Sequence, residues 1–171
     1  MPDVSAARQR VESDPVVDYT GAIYGSLLAA STVVGTAAGG AATTNPASLL
    51  AALLVTSTVF WLLHVYVRVV GREVPRHRRW LEGTRKAAGH ELPILLAVVP
   101  PTLAVLITVA LNSPDARVSW SALWAAIAGQ MFWTWLAVRQ AQERRSLALL
   151  SLAVSLFLGL VLVVLKSALT A

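Results

Sequence analysis

Residues 47–72 read ASLLAALLVTSTVFWLLHVYVRVVGR, and the first seventeen of them, 47–63, contain no ionisable side chain. A helix needs about 20 predominantly apolar residues to cross the hydrocarbon core of a bilayer. The run supplies that length, then places His64 and Arg68 four positions apart, on one helical face, before ending at Gly71 and Arg72. Such a stretch predicts a membrane-spanning helix with its ionisable groups gathered at one end.

The remainder of the chain fits the same solvent. It has 171 residues, read as a single membrane domain, 1–171, and is 56% apolar with a mean hydropathy of +0.65. Only 13% of residues are charged, whereas soluble domains carry about a quarter. The net charge of +5 is then a matter of topology and gives no reason to expect nucleic acid as a partner. There are no cysteines, which removes disulfides, thiolate metal sites and cysteine nucleophiles together. Arginine outnumbers lysine twelve to two, the composition of a GC-rich bacterial genome. Residues 1–16 are polar and mixed in charge, unlike the basic start and apolar core of a cleavable signal peptide.

Five segments have the length and apolarity of spans: about 17–38, 47–70, 92–111, 119–138 and 147–167. Asn45-Pro46 is suited to cap and begin the second, and Asn112-Ser113-Pro114-Asp115 to turn the chain after the third. No glycine or proline separates Gly129 from Gly159, so the fourth helix is expected to run on through RQAQERR. Seven basic residues lie between Arg68 and Glu91, three more at 139–145, and Arg8 and Arg10 precede the first span. Only Arg117 and Lys166 fall on the other side. Because basic residues concentrate in cytoplasmic loops, the expectation is an all-α polytopic membrane protein. It is read as a five-transmembrane-helix bundle of a bacterial inner membrane, with the N-terminus (1–16) inside and the C-terminus outside. Residues 71–91 form a basic cytoplasmic loop in this reading. Arg72, Arg76, Arg78, Arg79 and Trp80 are its candidates for lipid-headgroup or partner contact, with a short interfacial helix and a solvated loop both open.

Polar positions inside the spans mark the candidate sites. In the first span Asp18, Ala22, Gly25, Ala29, Thr32 and Thr36 share one face, and Gly21–Gly25 and Gly35–Gly39 form small-xxx-small pairs. These suit close packing, within the bundle or between subunits of a homo-oligomer, or the lining of a hydrated path. Pro100-Pro101 lies near the middle of the third span and withdraws the donors that the carbonyls of about residues 96 and 97 would meet. A plain kink and a transporter-like broken helix are both open readings. Gln130, with Thr134 one turn on, suits a bond between helices. Lys166 is read as reaching outward to the headgroups.

His64 and Arg68 join this picture at the inner level of the bundle, beside Asp18, Glu91 and Arg139. An interhelical ion-pair network, a proton site or pH-sensitive gate built on His64 and Asp18, and a headgroup site are the three readings. No nucleophile elbow, P-loop or HExxH appears, so an enzyme is not expected, nor a cofactor or a metal. The run FWLLHVYVR, the basic loop with GHELP, and LVVLKSAL resemble small uncharacterised multi-pass integral membrane proteins of GC-rich bacteria. The resemblance implies a shared multi-helix architecture, with His64, Arg68, His90, Glu91, Pro93 and Lys166 in the recurring stretches, and no activity. The leading expectation is a small oligomeric channel or transporter for ions or protons. The alternative is a non-conducting accessory or lipid-interacting scaffold subunit.

Overall fold

A computed structural model describes residues 19–38, 45–73, 80–140 and 145–170. Among them every regular element is helical: α1 (Thr20–Ala38), α2 (Pro46–Arg68), α3 (Trp80–His90), α4 (Leu92–Leu96), α5 (Val99–Ala110), α6 (Asp115–Gln140) and α7 (Arg145–Thr170). A π turn, Val69–Glu73, prolongs α2. Three helices, α2, α6 and α7, are long and apolar enough to cross a membrane. The bent pair made by α3–α4 and α5 brings the number to four when it is taken as one span.

Local chemistry sets the helix ends. The Asn45 side chain accepts from the Ala47 N–H at 2.9 Å while Pro46 opens α2, satisfying one of the donors that a helix start leaves orphaned. At the end of α5, Asn112 adopts a left-handed conformation with φ of 50°. The Ser113 N–H then reaches back to the Thr108 carbonyl at 3.0 Å, and the Asn112 N–H to Val109 at 2.9 Å. That is a Schellman closure with asparagine in the position usually held by glycine. The turn expected at 112–115 is therefore in place.

The proline pair acts three residues before itself. Neither Pro100 nor Pro101 can donate to the carbonyl four residues earlier, and the chain breaks at Ala97–Val98, where the two arms meet at 42°. Helical bonding resumes with the Thr102 N–H on Val98 at 3.1 Å. Residues 80–90, read from sequence as part of a basic loop with an interfacial helix as the other option, form α3. Its small face, Gly83 and Ala87, is buried, and Ala87 packs on Val65 and Val69 at the end of α2. Only the single residue Glu91 separates α3 from α4.

α1 lies at the centre and packs against α2, α4, α6 and α7, whereas α2 and α7 barely touch. Its buried residues Ala29, Ala30, Val33 and Val34 join Leu49 and Leu53 of α2, Val105 of α5, and Leu123, Ala126 and Ile127 of α6 in one apolar core. Close approach depends on missing side chains. A Cβ on Gly25 would lie 2.7 Å from the Ile94 carbonyl oxygen and 2.9 Å from the Ala97 Cβ, so only glycine lets α1 settle against the break. On the outside, Leu149, Phe157 and Val164 of α7 are each about two-thirds exposed. So many large apolar side chains facing outward along one helix are the mark of a hydrocarbon surround.

Candidate functional site

Polar groups gather at three levels. At the end formed by α2, α3 and α4, Arg68 Nε donates to Glu91 Oε1, tying the last turn of α2 to the junction of α3 and α4. The Glu91 side chain is 8% exposed and that of Arg68 21%, and His90 Nδ1 stands 4.0 Å from the same carboxylate oxygen. Trp61 Nε1 donates to the Ala88 carbonyl at 3.3 Å, a second tie between the same elements. Of the sequence-derived readings of this cluster, the interhelical ion pair is present among the described residues, as Arg68 with Glu91. Arg139 is not part of it: it is exposed and lies over the Trp135 ring on its own helix, 5.0 Å from the centroid.

His64 is half-buried. Its Nδ1–H donates to the Phe60 carbonyl at 3.0 Å, and a carbonyl can only accept, so the tautomer follows. The ring lies 4.9 Å from Phe60 and 6.0 Å from Tyr24, and Tyr24 stacks on Phe60 at 5.3 Å, joining α1 to α2. Asp18, the expected partner of His64, lies outside the described residues. So do Arg76, Arg78 and Arg79, together with the side chains of Arg72 and Trp80.

At mid-helix Gln130 is completely buried. Its Nε2 donates to the Ser155 carbonyl and to Ser155 Oγ, both at 2.9 Å, and Thr134 Oγ1 lies 3.0 Å from Ser155 Oγ. Here the expected interhelical amide bond is present, and its partner is α7. Near the far end of the same pair of helices Lys166 is 1% exposed. It donates to Ser119 Oγ, with its ammonium 5.4 Å from the centroid of the Trp120 ring. Lys166 thus turns into the bundle, where the sequence suggested a headgroup-directed side chain.

Both α6–α7 ties use one register. Ser119 and Gln130 are eleven positions apart on α6, and so are Ser155 and Lys166 on α7. Eleven residues make about three turns, so two antiparallel helices meet twice on the same faces. Ser155 and Ser119 were not singled out as tie points from sequence. The matched spacing was the signal that could have found them.

The remaining candidates are packing elements. Gly25 is sealed against Ile94 and Ala97. Thr32 donates to the Leu28 carbonyl at 2.8 Å and Thr36 to Val33 at 3.0 Å, both within α1. Pro101 is buried, and Pro100 packs within 3.4 Å of where a Cβ on Gly129 would stand. Thr32 and Thr36 lie one turn apart on α1, whereas His64 packs on Tyr24 and Phe60 and Gln130 bonds to Ser155 of α7. Of the two uses open to the Gly21–Gly25 pair, within the bundle or between subunits, the structure shows the first, against Ile94 of α4. Among the described residues no three His, Asp or Glu side chains converge on a point.

Lateral grooves flank α1. One of about 330 Å³ is bordered by Tyr24, Leu28, Ser31, Phe60 and Val161, in the gap that α2 and α7 leave open. A second, of about 380 Å³, reaches Gln130, Thr134 and Ser155, and the two share Leu27 and Leu158. Comparison with known protein families, with curated proteins and with solved structures finds no match.

Proposed function

We propose that this chain is a five-span protein of a bacterial inner membrane that does not conduct ions and acts by holding lipid in the grooves along its central helix. The five spans are α1, α2, the bent α3–α5 unit, α6 and α7. The excess of basic residues at 68–91 and 139–145 favours the N-terminus inside and the C-terminus outside. Of the two functional classes considered from sequence, the lipid-interacting scaffold or accessory subunit fits the geometry better than the channel or transporter.

One observation carries the choice. The helix richest in small and polar residues for its length, the natural pore-lining element, has its inward face closed by apolar packing: Ala29, Ala30, Val33 and Val34 are between 0% and 3% exposed. A conducting path needs water or polar ligands along its length, and this core offers neither. The grooves, by contrast, open sideways between helices, where acyl chains are the surrounding solvent. The ion pair at Arg68 and Glu91 then fixes the inner helix ends.

Flux measurements on proteoliposomes test this. With K⁺, Cl⁻ or H⁺ gradients at acidic and neutral pH, folded protein is expected to add nothing to the leak of empty vesicles. Ion flux that depends on the protein and changes with His64→Ala would overturn the reading in favour of a channel.

A further inference from the structure

The polar cluster on α6 and α7 has spent all its hydrogens. The Ser155 carbonyl only accepts, so the Gln130 atom facing it is the amide nitrogen, which gives its hydrogens to Ser155 O and Ser155 Oγ, both at 2.9 Å. Thr134 donates its hydroxyl hydrogen to the Gln130 backbone carbonyl at 2.8 Å. The hydrogen between Thr134 Oγ1 and Ser155 Oγ, 3.0 Å apart, must then come from Ser155. No hydroxyl hydrogen of Thr134 or Ser155 is left for the other side of the amide, and Gln130 Oε1 is indeed buried without a donor. An unmet carbonyl oxygen in a hydrocarbon environment is costly, since nothing there replaces the hydrogen bond that water would give.

This side chain borders the groove of about 380 Å³. Its other walls include Leu27 and the outward-facing Val154 and Leu158 of α7, so it opens sideways, and Ser151 stands at its edge. Gln130 is eleven residues from Ser119 and ten from Gln140 on α6, about 15 Å from either level at 1.5 Å per residue. A phosphate headgroup does not sit at that depth. Among the described residues no acidic side chain borders the groove to hold a cation, and the cluster has no donor left for an anion.

We propose that the groove binds a neutral lipid whose polar part is a hydroxyl, such as a long-chain or isoprenoid alcohol or a diacylglycerol. Gln130 Oε1 is closed to a water-sized group as it stands, so binding parts the groove wall. The lipid O–H then donates to Gln130 Oε1 while its hydrocarbon chain lies along Leu27 and Leu158. The proposal rests on the lipid-interacting reading above and specifies which lipid chemistry the groove selects.

The test uses the full chain in phosphatidylcholine nanodiscs with a diazirine-bearing hexadecanol, its methyl ether as the matched probe lacking the donor, and mass spectrometry of the photolabelled peptides. Labelling on α1 and α7 around Leu27 and Leu158 is expected to favour the alcohol about three- to tenfold, the worth of one net hydrogen bond. Gln130→Met, close in volume, should bring alcohol labelling down to that of the ether; because it also gives up the two bonds to Ser155, a modest fall in melting temperature is expected with it. Leu158→Trp, which fills the groove, should lower both probes and guards against misfolding of the Gln130 variant. Equal labelling by alcohol and ether in the unmodified protein overturns hydroxyl recognition, a trapped water then satisfying Gln130, and leaves the lipid-interacting reading standing. Absence of labelling by either probe overturns both.

Discussion

At the scale of single residues, what matters most is atoms that are missing or paired. Gly25 and Gly35 sit on the same helix, yet a Cβ on the first meets backbone at 2.7 Å and one on the second meets nothing within 4 Å. Gly25→Ala is therefore expected to destabilise by about 1–3 kcal/mol through overpacking. Gly35→Ala is expected to be neutral, or to gain up to about 1 kcal/mol from helix propensity. Thermal unfolding in mild detergent distinguishes the two, and equal melting temperatures would contradict the close approach to Ile94. The Arg68–Glu91 pair makes a second case. Breaking a fully buried pair costs about 3–5 kcal/mol, and the partial exposure of Arg68 lowers that through screening. A double-mutant cycle with Arg68→Met and Glu91→Gln is expected to give a coupling of about 1–3 kcal/mol, against near zero if the groups are independent.

Reading from sequence succeeded at this scale where a residue acts on its own backbone, as Asn45, Asn112 and the proline pair do. It did less well where the partner is remote in the chain. Nothing local says that Gly25 meets Ile94 rather than a second subunit. The outward reading of Lys166 followed from its place near a helix end; its burial follows from Ser119, forty-seven residues away. The cluster of Gln130 was legible as an interhelical bond but not as a bond to Ser155, because the neighbouring helix and its register are tertiary facts.

Among the elements, the bent α3–α5 unit departs most from expectation. Basic residues at 85 and 86 argued for solvent, and the small residues Gly83 and Ala87 give little apolar periodicity to oppose them. Packing of Ala87 on α2 nonetheless folds the segment into a helix continuous in direction with α4. The bend itself comes from Pro100 and Pro101. Replacing both with alanine should restore the missing donors and straighten the unit. Spin labels at Glu82 and Leu111, both exposed, would then separate by about 3 Å more than across the present 42° bend. An unchanged distance distribution would assign the bend to packing against Gly25 instead.

Across the whole molecule, a central helix of small residues lets four other segments close around it, leaving one groove where α2 and α7 fail to meet and a second between α1, α6 and α7. The membrane character was legible from apolar run lengths alone, and α1, α2, α4–α5, α6 and α7 fall within or close to the expected segments. By contrast, α3 forms in the stretch read as a loop, and the run of α6 expected beyond Gln140 lies outside the described residues. What the interior does was not legible, since a stripe of glycine, alanine and threonine suits a wet path and a dry seam equally well; apolar partners from α2, α5 and α6 decide it. The chain has no cysteine, so single cysteines report without background. The most direct measurement is the reaction of Ala29→Cys and Val33→Cys, in membranes, with a charged thiol reagent supplied from each side in turn, with Asn112→Cys as the exposed control. A sealed bundle leaves both interior cysteines unmodified while the control reacts. Modification of Ala29→Cys or Val33→Cys in folded protein would show water along α1 and contradict the closed core on which the non-conducting reading stands.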